Sequence, residues 1–219
     1  MKKCALVGFL GGLLFTIGDL LVYLLPHYLS TGYYQDVANM NMWRLAISTY
    51  LGCIGSGFLL IGFYSLYNIT KKNCSKLTNR LMLLIVLGII LTPIGHFIIA
   101  CIKPMTFKIA LECGTSIDTA KDIALNWVTY TNPIKFIGMT IIIIFQSVMM
   151  VVLILKKKIN CPKWMVVLNP LGLTLILSVP LLLLLEGTAF VGIAECFESL
   201  GEGAMYLAVY WHYMHTDYI

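Results

Sequence analysis

The chain has 219 residues, of which 59% are hydrophobic and only 11% charged, whereas about a quarter of the residues of a soluble domain carry charge. That composition excludes an ordinary soluble domain and requires a membrane protein. The net charge of +5 does not point to nucleic acid, because the basic residues sit in short loops between apolar runs, where they act as topology signals.

Six runs are long enough to cross a hydrocarbon core of about 30 Å, which takes about 20 helical residues: about 4–25, 45–67, 81–102, 134–155, 164–185 and 188–211. Lys2 and Lys3 precede the first run. Lys71, Lys72, Lys76 and Arg80 separate the second from the third, and Lys156, Lys157, Lys158 and Lys163 separate the fourth from the fifth. Ten of the fifteen basic residues thus lie on one side, which the positive-inside rule makes cytoplasmic. The expected architecture is an all-α, six-transmembrane-helix bundle forming a single domain in the plasma membrane, with both termini cytoplasmic.

Span one carries Gly8 and Gly12 at the small-xxx-small spacing that lets membrane helices approach closely. Gly12, Thr16, Asp19 and Tyr23 then follow on one face, so Asp19 belongs to the bundle side. The loop 26–44 is rich in tyrosine and ends in Trp43-Arg44, a composition suited to the outer interface belt. Arg44 has two expected placements, snorkelling outward or leaning inward as a counter-ion for buried acids. In span two, Ser48, Gly52 and Ser56 repeat at four-residue steps for close packing.

Span three aligns Gly88, Thr92 and His96, with Pro93 one turn before the only histidine deep in a span. Residues 103–133 form the largest segment outside the spans. There Thr115 or Ser116 can cap a short amphipathic helix bearing Ile117, Ala120, Ala124 and Trp127 on one face, expected to stop before Asn132-Pro133. It reads as a cover on the outer surface. Span four holds Thr140, Gln146 and Ser147, and span five is interrupted by Asn169-Pro170 and Pro180. The seven cysteines do not make a disulfide framework, since most fall in spans or in reducing cytoplasmic loops. Cys101 and Cys113 both approach the outer side, where pairing stays open.

The last span is the unusual one, because Glu195, Glu198 and Glu202 interrupt an apolar stretch. At about 100° per residue, Glu198 and Glu202 fall within roughly 60° of Glu195. Phe190, Ile193, Phe197, Leu200, Ala204 and Leu207 occupy the opposite face, expected to meet lipid. A carboxylate facing hydrocarbon costs about 2.5–3.5 kcal/mol even on the lenient insertion scale, so the acidic stripe must look into the bundle. Counting from span midpoints at about 1.5 Å per residue brings Asp19, His96 and Glu195 to one level, roughly 7 Å outside the bilayer centre, with Glu198 about 3 Å outside it.

Such a cluster calls for shared protons, a bound cation or an inward Arg44. The first function expected is binding or transport of a small cationic or protonatable solute, or of a lipid headgroup, through Asp19, His96, Glu195, Glu198, Glu202 and Arg44. An alternative is a metal-dependent intramembrane lipid hydrolase, with a divalent metal on His96, Glu195, Glu198 and Asp19; no HExxH or GxSxG motif accompanies it. The other is a non-catalytic assembly or sensor subunit. The lipid bilayer is the expected partner, and a homodimer would supply the symmetry that six short spans without an internal repeat lack.

Overall fold

The computed structural model describes residues 1–27, 32–96, 101–186, 188 and 190–216, and among these there is helix and turn but no strand. Four helices are long and apolar enough to cross a membrane: α1 (Lys2–Tyr23), α3 (Met42–Asn73), α4 (Lys76–Gly95) and the continuous rod Ile117–Leu155. A membrane protein fits this architecture. Two shorter helical stretches complete the bundle. One comprises α8 (Pro170–Leu173), a π turn over Thr174–Ser178 and α9 (Val179–Leu185). The other is α10 (Cys196–His215), entered through a 3₁₀ turn at Val191–Glu195.

Glycine sets the spacing at the centre. A Cβ on Gly8 would stand 2.6 Å from the Gly62 Cα, and one on Gly11 would stand 2.7 Å from the Gly55 carbonyl oxygen. α1 therefore lies directly on α3, in the backbone-to-backbone manner that small residues permit. The next glycine, Gly12, is in the same relation to Gly203 of α10. α1 is thus clasped by α3 on one side and α10 on the other.

The final helix corrects an expectation. The face of α10 assigned to lipid is largely covered, with Ala204 buried and Phe197, Leu200 and Leu207 partly so, while Phe190 before the helix is exposed. The reason is again small residues: a Cβ on Gly201 would meet Pro170 Cα at 2.6 Å, and Gly203 admits α1 from the other side. α10 is consequently a central helix rather than a peripheral one. Tyr206, fully buried, donates its hydroxyl to the Leu59 carbonyl at 3.1 Å, and Tyr213 donates to Ser65 at 2.8 Å.

Two further boundaries differ. α3 runs on to Asn73 before a short break at Cys74-Ser75, where Ser75 Oγ accepts from the Thr78 amide at 3.2 Å and starts α4. The loop expected over 68–80 is mostly helix. The outer cover also fails to stop at Asn132-Pro133: α6 (Ile117–Met139) passes through Pro133, continues as a π turn over Thr140–Gln146 and ends as α7 (Ser147–Leu155). Proline removes one amide donor at a cost of about 3 kcal/mol, which the packing of the apolar run beyond it, including Gly138 against Leu91, offsets. Cover and span are one rod.

At one end of the bundle, α2 (Tyr33–Asn39) and α5 (Lys103–Glu112) join the start of α6 in a cap with its own core, including Val37, Leu45, Phe107, Ala120 and Ala124. Gly114, at φ 85°, closes α5 in the left-handed conformation, with the Thr115 amide returning to the Ala110 carbonyl at 3.2 Å. Ser116 then caps α6 as expected, accepting from the Thr119 amide. Cys101 and Cys113 are both free; Cys101 is buried and Cys113 exposed.

Candidate functional site

Asp19 sits in α1 about two turns beyond the glycines that bring in α3 and α10, and it is only 4% exposed. Its Oδ1 lies 3.0 Å from His96 Nδ1, and its Oδ2 accepts a hydrogen bond from the Ser199 hydroxyl of α10. The other imidazole nitrogen, Nε2, lies 3.1 Å from Ser48 Oγ in α3. Four segments therefore contribute to one chain of hydrogen bonds, running Ser48, His96, Asp19, Ser199.

The acceptor character of the carboxylate places the proton on Nδ1. Nε2 then accepts from the Ser48 hydroxyl when the ring is neutral and donates to it when the ring is charged, because a hydroxyl serves either way. His96 can take up a proton without losing a partner. Gly52 makes the seat: a Cβ there would come within 2.9 Å of His96 Cδ2. Phe15 holds the ring from another side, edge-on with centroids 5.4 Å apart.

Beside this chain lies a cavity of about 120 Å³ lined by Asp19, His96, Lys135, Glu195, Glu198 and Ser199, among others. Glu195 is the last residue of the 3₁₀ turn and Glu198 lies in the first turn of α10. Unsatisfied amides and the positive end of the helix dipole favour negative charge at that end. This local start also amends the continuous helix expected over 188–211. The acids nonetheless converge, since both sides of the 3₁₀ junction face the same space.

Four of the six expected site residues, Asp19, His96, Glu195 and Glu198, meet at this cavity. Glu202 is one turn deeper, 3% exposed, with Oε1 lacking a hydrogen-bond partner. Arg44 is elsewhere. Its Nε donates to the Leu21 carbonyl at 2.8 Å and its Nη2 to Leu24 at 3.1 Å, so it caps the C-terminal end of α1, where a cation meets the free carbonyls. Among the described residues no group of three or more His, Cys, Asp or Glu side chains is arranged to hold a metal, so the set of His96, Glu195, Glu198 and Asp19 is a hydrogen-bonded pair with two neighbouring acids.

The residue that sequence reasoning passed over is Lys135. It lies at the start of the span expected over 134–155, and α6 carries it past Gly95 and into the cavity wall. The available signal was a lone lysine inside an apolar run two residues after a proline.

No curated protein and no solved structure matches the chain. A family model described as a family of unknown function, DUF6796, matches residues 1–216, and the chain therefore belongs to that family.

Proposed function

We propose that this is a six-span plasma-membrane protein, both termini cytoplasmic, whose acidic pocket binds and carries a small cationic or protonatable solute or a lipid headgroup. The observation that carries this reading is the charge balance of the cavity wall. Three carboxylates, Asp19, Glu195 and Glu198, face one lysine and one imidazole. With His96 neutral the wall is short of two positive charges, and with His96 protonated it is short of one. Uncompensated charge in a low-dielectric interior is costly, and an ammonium group or a proton supplies the missing charge.

The hydrolase reading is less well served, because Asp19 already has one oxygen facing His96 and the other accepting from Ser199. The test of the binding reading is thermal protection of the purified protein by ethylammonium. Wild type gains stability with rising ligand, as mass action requires, whereas Glu198→Gln and Glu195→Gln each lose most of that gain. Acidification protonates the carboxylates and removes the attraction, so protection declines as pH falls. Equal protection of wild type and both variants would refute the reading.

A further inference from the structure

His96 can change its charge while both of its polar contacts persist. Its Nδ1 lies 3.0 Å from Asp19 Oδ1 and its Nε2 lies 3.1 Å from Ser48 Oγ, and a hydroxyl either donates or accepts. Contact with Gly52 and the edge of Phe15 holds the ring in place between them. The titratable groups that share the cavity with it are Asp19 and Tyr23 on α1, Lys135 on α6, Glu195 in the 3₁₀ turn and Glu198 on α10. α3 presents the neutral Ser48, and Thr92 in α4 is committed to the Gly88 carbonyl at 2.9 Å. Asp19 faces His96, so Lys135 offsets one of the two glutamates and the other is left to a further cation.

That cation is either a proton or a solute, and the two compete for a small space. A volume of about 120 Å³ is that of a sphere about 6 Å across, and two unit charges at ~6 Å under an effective dielectric of ~20 repel by roughly a hundred-fold in affinity. Resting on the cation-binding reading above, we infer that the pocket exchanges its cation for a proton held on His96, so that the solute is carried against a counterflow of protons. Entry of an ammonium group between Glu195 and Glu198 drives the imidazolium to its neutral form. The Nε2–H bond breaks, its electron pair stays on the ring to accept from Ser48, and the proton leaves to solvent. One positive charge enters as one departs. Linkage is reciprocal, so the proton weakens ammonium binding by the factor with which ammonium weakens the proton.

The test titrates ethylammonium calorimetrically into the full-length protein in detergent, in phosphate and in Tris buffers of different ionisation heat, between about pH 5 and 8, where imidazoles titrate and an alkylammonium keeps its charge. Wild type is expected to release up to about one proton per ethylammonium bound, read as a binding heat that differs between the buffers, and to bind at least about ten-fold more tightly at the upper end of the range than at the lower. His96→Gln is expected to lose that release at the pH where wild type shows it most. Nitrogen NMR of the wild-type ring, which needs no variant, is expected to show Nε2 passing from an N–H to a lone-pair position as ethylammonium is added. Saturable binding with no proton release and no change at Nε2 overturns the inference and leaves the cation-binding reading standing. Release that persists in His96→Gln assigns the proton to a carboxyl group and also overturns it. Absence of saturable ethylammonium binding by wild type overturns both.

Discussion

His96 shows how much a single side chain depends on what its neighbours omit. The ring fits because residue 52 has no Cβ, and it is aligned because Asp19 and Ser48 occupy its two nitrogens. Gly52→Ala is therefore expected to displace the imidazole and to destabilise the protein by about 1–3 kcal/mol, the usual cost of overpacking. Gly57, in the same helix with nothing within 4 Å of an added Cβ, is the control: Gly57→Ala is expected to be neutral or stabilising by up to about 1 kcal/mol. Thermal melts of both variants, with the His96 ring nitrogens followed by NMR, check this. Equal behaviour of the two would contradict the seat. The ionisable half of this arrangement was readable in the sequence, since Asp19, His96 and Glu195 stand out against apolar runs. The partners Ser48 and Ser199 were on the right faces, but a serine in a membrane helix more often bonds its own backbone, as Ser56 does with Gly52 at 3.0 Å. Arg44 was undecidable, because snorkelling and inward reach use the same side chain, and only the carbonyls of Leu21 and Leu24 choose between them.

Helices, too, were legible in unequal measure. Apolar runs and the Ser116 cap located most of them, whereas Pro133 and the start of α10 did not follow local rules. The bias of the residue before proline away from helix is a preference of small magnitude, and a rod with packed turns on both sides overrides it. Spin labels at Ile123 and Ile137, both exposed, lie fourteen residues apart, or about 21 Å along an unbroken helix. A narrow distance distribution near that value is expected from pulsed electron resonance. A broad or much shorter one would mean that the rod breaks at Pro133. The placement of α10 at the centre was invisible for a different reason. Periodicity identifies a polar face, but it cannot say that Gly201 and Gly203 admit α8 and α1 on flanks that look equally ready for lipid.

At the scale of the whole molecule, charge asymmetry carries the proposed topology and glycine contacts carry the packing. The two are independent, so the orientation has its own test. Cys113 is exposed in the cap joining α5 to α6, on the side opposite the lysine-rich loops in the proposed arrangement. A membrane-impermeant maleimide added to intact cells is expected to label wild type and to lose that label in Cys113→Ala. Labelling at Cys113 only after the cells are opened would invert the topology. It would also turn the cavity to the other face of the membrane.

All of these scales meet in the acid-lined cavity between α1, α4, α6 and α10. The most direct test is a calorimetric titration of ethylammonium into wild type and into Glu198→Gln at neutral pH, with Gly57→Ala as the folded control. The account expects saturable binding by wild type and the control, and an affinity at least about ten-fold lower in Glu198→Gln, the loss of one charge-assisted contact. Indistinguishable isotherms for wild type and Glu198→Gln, or no saturable binding by wild type, would contradict it.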